Sequence, residues 1–142
     1  MKICGVVISG SDANLAIVSP DGAGSVRYHP CDTRRISLDN EKSTQSLEAF
    51  AKAIASFAHE NEIDAFCLKE RALTGRMAGG GVSFKIETLI QLRGGKDVYF
   101  VHPITLKKFA KSNHGGSPAG IQAYLEAAYR AGAYQLVSLK KV

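Results

Sequence analysis

The chain has no tryptophan, only four prolines and three cysteines, and no long apolar run in its 142 residues. Each shortage excludes something. Cys4, Cys31 and Cys67 are odd in number, widely spaced and without a CxxC pair, so neither a disulfide framework nor a thiolate zinc site is expected. They read as small apolar residues on strands. Apolar stretches such as the one around Val6–Ile8 fall far below the roughly 20 residues that cross a bilayer. Met1–Ile8 is a short strand-like run interrupted at Ser9 and Gly10, without the cleavage pattern of a signal peptide. A cytoplasmic protein with no membrane contact is expected. Low-complexity tracts and blocks of like charge are missing, and with them the compositional signs of disorder. There is no Ser/His/Asp elbow, Cys/His pair or HExxH, and no loop matches a Walker or dinucleotide fingerprint. Aromatic residues at 8% give little support to a base-stacking platform.

What is present is ordinary globular composition, 45% apolar and 22% charged. The length predicts a single domain over residues 1–142 with one hydrophobic core. The net charge of +5 is unevenly placed: residues 1–64 hold six Lys/Arg against nine Asp/Glu, a balance of −3, and residues 65–142 hold twelve against four, a balance of +8. A basic second half favours an anionic partner, most simply nucleic acid.

Residues 2–9 form a β-rich run, SGSDAN (Ser9–Asn14) a turn cluster, and Leu15–Val18 a second apolar run. A further turn at Ser19–Gly24 opens a third run at Ser25–Pro30, which predicts a three-stranded antiparallel meander. Between Asp32 and Ser43 the sequence is polar, with Ile36 and Leu38 alone expected to touch the core. Leu47, Phe50, Ala51, Ile54, Phe57 and Ala58 recur at helical spacing behind Ser43 or Thr44 as cap. A strand at Asp64–Glu70, a helix from Val82 to about Arg93 and a strand at Asp97–Pro103 follow, and a helix between strands implies parallel pairing. Ile104–Lys111 is a short basic helix or turn. Ser117 followed by Pro118 predicts the start of a closing helix that runs to about Leu136. The predicted class is α/β: three antiparallel strands plus two parallel crossover strands, flanked by helices.

That order is the order of the ribonuclease-H-like fold. The segment KERALTGRMAGGGVSFKIETLIQL (Lys69–Leu92) resembles the part of RuvC-type Holliday-junction resolvases where a strand ends in glutamate and a glycine-containing loop enters a helix. VHPITLKKFAKSNHGGSPAGIQAYL (Val101–Leu125) continues the resemblance, with a strand ending at proline, a lysine-containing stretch and a small-residue loop before a helix. The chain is similar, more closely again, to a small bacterial family of the same superfamily whose function is not defined. The resemblance implies a nucleic-acid partner, acids converging on two Mg²⁺ or Mn²⁺ ions, and a homodimer.

Hard divalent cations need oxygen ligands, and a metal pair activates water and stabilises the leaving oxygen. Carried onto this sequence, the strand-ending acid is Glu70, the catalytic and metal-ligand candidate. The first-strand position departs from the pattern, since Val7 stands two residues after Gly5. Asp12 is the nearest acid, in the expected turn, and Glu126 is the one acid of the closing helix. Beside Glu70 lie Lys69 and Arg71, with His102 expected on the neighbouring strand end and Lys85 and Glu87 on the intervening helix. Arg76, Lys107, Lys108 and Lys111 extend the basic set. Gly79, Gly80 and Gly81 are expected to open one helix and Gly115 and Gly116 another, where free N–H groups suit phosphate. Three readings follow: a nucleic-acid-binding domain with reduced or absent catalysis, a metal-dependent nuclease using Glu70 with Asp12 and Glu126, and a structural or regulatory domain acting through protein contacts.

Overall fold

A computed structural model of the chain describes residues 1–71 and 80–142. β1 (Ile3–Ser9) and β2 (Asp12–Pro20) form an antiparallel hairpin in which Ser9 faces Asp12. Only Gly10 and Ser11 lie between them. Gly10 has φ of +60°, a left-handed conformation that suits glycine at the first position of a two-residue hairpin turn. The expected turn through Asn14 is therefore too long: Asp12, Ala13 and Asn14 belong to β2.

β3 (Val26–His29) and β4 (Arg35–Ser37) both pair with β2 antiparallel, along successive stretches of the same edge. The third strand of the expected meander, Ser25–Pro30, is present as β3, and β4 is an additional strand within the segment read as polar. β4 went unseen in the sequence because three residues with one apolar member make no pattern. Ile36 and Leu38 are buried as expected.

α1 (Thr44–Glu60) is capped by Ser43, whose hydroxyl accepts the Ser46 N–H. β5 (Ala65–Lys69) then pairs parallel with β1, and β6 (Asp97–Val101) parallel with β5. The sheet runs β3-β2-β1-β5-β6, with β4 on β2. α2 (Gly81–Arg93) connects β5 and β6. α3 (Pro103–Phe109) follows directly, and α4 (Glu126–Ser138) closes the fold behind a single 3-10 turn at Ala123–Leu125. Among the described residues no helix is long and apolar enough to cross a membrane.

Alternate residues of each central strand serve opposite faces. Cys4, Val6, Phe66 and Leu68 pack with Phe50, Ile54 and Phe57 of α1 and Ile86 and Ile90 of α2. Ile3, Ala65 and Cys67 pack with Ala128, Tyr129 and Leu136 of α4 and Leu106 of α3. Gly5 is the point of closest approach on this second face. A Cβ there would lie 1.7 Å from the Ala128 carbonyl oxygen, so only glycine lets α4 rest on β1.

The closing helix starts later than Ser117–Pro118 predicts. Gly120 takes a left-handed φ of +82°, which breaks helix continuity. Ser117 does not cap: its hydroxyl accepts from Arg130 Nη2 at 3.1 Å, while Arg130 Nε donates to the Gly115 carbonyl at 2.9 Å. The 115–117 stretch is held against the flank of α4. Gly115 and Gly116 accordingly open no helix. A Cβ on Gly115 would fall 2.0 Å from the Phe109 carbonyl oxygen, so that glycine serves packing.

Candidate functional site

Because β1, β5 and β6 are parallel, Ser9, Lys69 and Val101 end at the same edge of the sheet. The amino end of β2 arrives there too, with Asp12 opposite Ser9. Sites on open α/β sheets gather at this carboxyl edge. Here the two faces differ.

On the α4 face stands a polar network. Ser37 of β4 donates its hydroxyl to the Asp12 carboxylate, and Arg35 Nε lies 3.8 Å from the other Asp12 oxygen. Arg35 Nε also donates to Asn14 Oδ1 at 3.4 Å, and its guanidinium lies 4.9 Å from the centre of the Tyr124 ring. Asp12 thus fastens β4 to β2. Glu126, at the start of α4, pairs with Arg130 one turn on at 3.6 Å.

On the α2 face is a cleft of about 340 Å³ lined by Glu70, Arg71, Glu87, Gln91 and Phe100. Glu70 follows the last residue of β5, its N–H donating to the Val101 carbonyl at 2.9 Å. It keeps the parity of Phe66 and Leu68 and so faces α2. Glu87 and Gln91 are four residues apart on α2 and share a face. Arg71 Nε lies 3.4 Å from Glu87 Oε2, with both side chains about four-fifths buried. That is an ion pair without hydrogen-bond geometry, and the solvent-shielded Nε has no hydrogen-bond acceptor among the described residues. The guanidinium also sits 5.0 Å from the centre of the Phe84 ring.

The three candidate acids are therefore not assembled. Glu70 faces α2, whereas Asp12 and Glu126 belong to the α4 side and have cationic partners. Among the described residues no group of three His, Cys, Asp or Glu side chains comes together to hold a metal ion. This donor set does not fit a two-metal centre, which needs several carboxylates converging on ions about 4 Å apart. Buried thiols supply no alternative nucleophile: burial pushes Cys67 up to about 12, and desolvation raises Cys4 as well.

The basic candidates also divide. Lys85 leaves the cleft, donating to the Glu41 carbonyl at 2.7 Å and pairing with its carboxylate at 3.9 Å. His102 caps α3, its Nδ1 accepting the Ile104 N–H at 3.1 Å. Lys69 is half-buried at the end of β5. Lys107 and Lys108 in the last turn of α3 and Lys111 just beyond it are exposed. None of these four lysines pairs with a carboxylate among the described residues. Arg76 and Gly79 lie outside the described residues, while Gly80 and Gly81 open α2 as expected. Sequence reasoning missed Gln91 and Phe100; the four-residue spacing of Glu87 and Gln91 and the strand parity of Phe100 were the available signals.

The fold is α/β and of the ribonuclease-H-like class, like that of RuvC. The RuvC structure of Thermus thermophilus matches with a TM-score of 0.74 at 12% identity, covering 99% of this chain and 96% of that one. T. thermophilus RuvC in complex with a Holliday junction substrate matches at 0.71 and 13%, with the same coverage. The yeast mitochondrial Holliday junction resolvase Ydc2 matches at 0.57 and 9%, covering 98% and 83%. At such identities the likeness is one of fold. No curated protein matches the chain. The chain belongs to the family described as "Protein of unknown function (DUF3010)", whose model matches residues 1–135.

Proposed function

We propose that this protein binds branched or double-stranded nucleic acid at the carboxyl edge of its sheet, with nuclease chemistry reduced or absent. The observation that carries the reading is the set Lys69, Lys107, Lys108 and Lys111, four lysines without carboxylate partners among the described residues, at and beyond the ends of β5 and β6. Unpaired ammonium groups hold phosphates, and such contacts supply most non-specific affinity. The RuvC fold supports the choice of partner, since one matching structure holds a Holliday junction substrate. The separation of Glu70 from Asp12 and Glu126 supports the loss of the metal reaction.

Fluorescence anisotropy with a labelled four-way junction and a duplex of equal length tests the proposal. Binding to either is expected, with no strand cleavage in Mg²⁺ or Mn²⁺. Binding undiminished in the Lys107→Ala/Lys108→Ala/Lys111→Ala variant would sink the assignment of the surface. Cleavage abolished by Glu70→Ala would instead establish the nuclease. Homodimerisation is a separate proposal that rests on the RuvC resemblance. A monomeric mass in light scattering at tens of micromolar would reject it.

A further inference from the structure

The cleft on the α2 face has a chemistry different from the lysines. Among the described residues its polar lining contains two carboxylates, Glu70 and Glu87, one amide, Gln91, and one guanidinium, Arg71, which already faces Glu87 at 3.4 Å. The balance is acidic and rich in hydrogen-bond acceptors. A phosphate entering it would meet two like charges against one engaged cation. Phe100, half-buried between the cleft and the core, adds an apolar wall. The volume of about 340 Å³ lies at the lower end of small-molecule sites.

We infer that this cleft receives an unpaired nucleobase bearing an exocyclic amino group, adenine, cytosine or guanine, while the lysines hold the adjoining backbone. The inference rests on the nucleic-acid reading above. Carboxylates accept from base amino groups, and a glutamine amide can pair with adenine through one acceptor and one donor. Unpaired bases, unlike phosphates, also gain from an apolar or aromatic wall. Phe100 is the penultimate residue of β6, and α3, whose last turn carries Lys107 and Lys108, begins at Pro103, two residues after that strand ends. Thymine has no amino group. Its one ring donor, N3–H, can serve a single carboxylate, and its two carbonyl oxygens can accept only from Gln91 and Arg71, so it satisfies fewer of the cleft's acceptors.

The test uses DNA duplexes carrying one unpaired nucleotide, A, C, G, T or an abasic site, titrated by anisotropy at fixed salt. Duplexes with unpaired A, C and G are expected to bind about tenfold tighter than the abasic duplex. The T duplex should bind more weakly than those three. Gln91 is exposed on α2, so Gln91→Ala should fold as the wild type does and lose part of the preference, with adenine affected most. Equal binding of all five duplexes would overturn the inference and leave the nucleic-acid reading standing. So would a preference for thymine, or a preference unchanged in Gln91→Ala. Failure to bind any duplex or junction would overturn both.

Discussion

The two faces of the sheet are packed in opposite styles. Gly5, Ala16, Ala65 and Cys67 of the sheet meet Ala128, Ala131, Gly132 and Ala133 of α4, so helix and strands touch almost backbone to backbone. On the other face Phe66 and Leu68 meet Phe50, Ile54, Phe57, Ile86 and Ile90. Small residues let a helix lie flush over the sheet. Large side chains fill the other face, and the cleft lies beside α2 at the sheet's carboxyl edge. The acids follow the same division, with Asp12 and Glu126 tied up on the flush face and Glu70 and Glu87 lining the open one.

The sharpest way to break the large-residue face is Phe66→Ala. Phe66 is fully buried, and its truncation should cost about 3 to 5 kcal/mol in urea unfolding. The flush face should fail to addition instead. Gly5→Ala places a methyl 1.7 Å from the Ala128 carbonyl oxygen and should cost about 3 kcal/mol, the upper end of overpacking losses. Gly116→Ala, at an exposed position where the added Cβ meets nothing within 4 Å, is the control and should leave the unfolding midpoint nearly unmoved.

Within the cleft the contrast lies between its two acids. Glu87→Ala leaves the Arg71 guanidinium, four-fifths buried, without its carboxylate, and should cost about 1 to 3 kcal/mol. Glu70→Ala removes no ion-pair partner among the described residues and no core volume, so its cost should stay within about 0.5 kcal/mol. The reverse order in paired thermal melts would make Glu70 the structural acid and Glu87 the free one.

The smallest effect concerns His29, at the outer edge of the α1 face. Its Nε2 lies 2.6 Å from the Ser19 hydroxyl, and burial, with Lys2 and Arg27 nearby, holds its pKa below the ordinary histidine value. Its contribution is therefore present above about pH 6.5 and is lost as pH falls through the folded value. Unfolding free energies between pH 7 and pH 5 should decline in the wild type by more than in His29→Gln. Equal slopes would remove His29 as a source.

Much of this fold was legible in the sequence, for reasons tied to burial. α1 announces itself through Phe50, Ile54 and Phe57 at helical spacing, and β5 and β6 through short apolar runs flanking a helix. Ile86 and Ile90 mark the inner side of α2. What misled was local chemistry with a tertiary alternative. Ser117–Pro118 has the form of a helix start, but Arg130, thirteen residues beyond Ser117, claims that hydroxyl. Asp12 has the form of a turn residue, yet Ser37 and Arg35 from a strand too short to detect draw it into β2–β4 pairing. For the candidate site, Glu70 and Arg71 were identified from the strand end and Glu87 from the helix. The face on which Glu70 sits, and hence its separation from Asp12 and Glu126, depends on long-range packing that no local motif carries.

The central claim is that the lysines at the carboxyl edge hold nucleic-acid phosphates, and the salt dependence of duplex binding tests it most directly. Each neutralised phosphate contributes a slope of about −0.9 in log affinity against log salt. The wild type should therefore show a slope of roughly −3 to −4 from four lysines, falling by about 3 in the Lys107→Ala/Lys108→Ala/Lys111→Ala variant. No binding at low salt, or a slope that is the same in both proteins, would contradict the account.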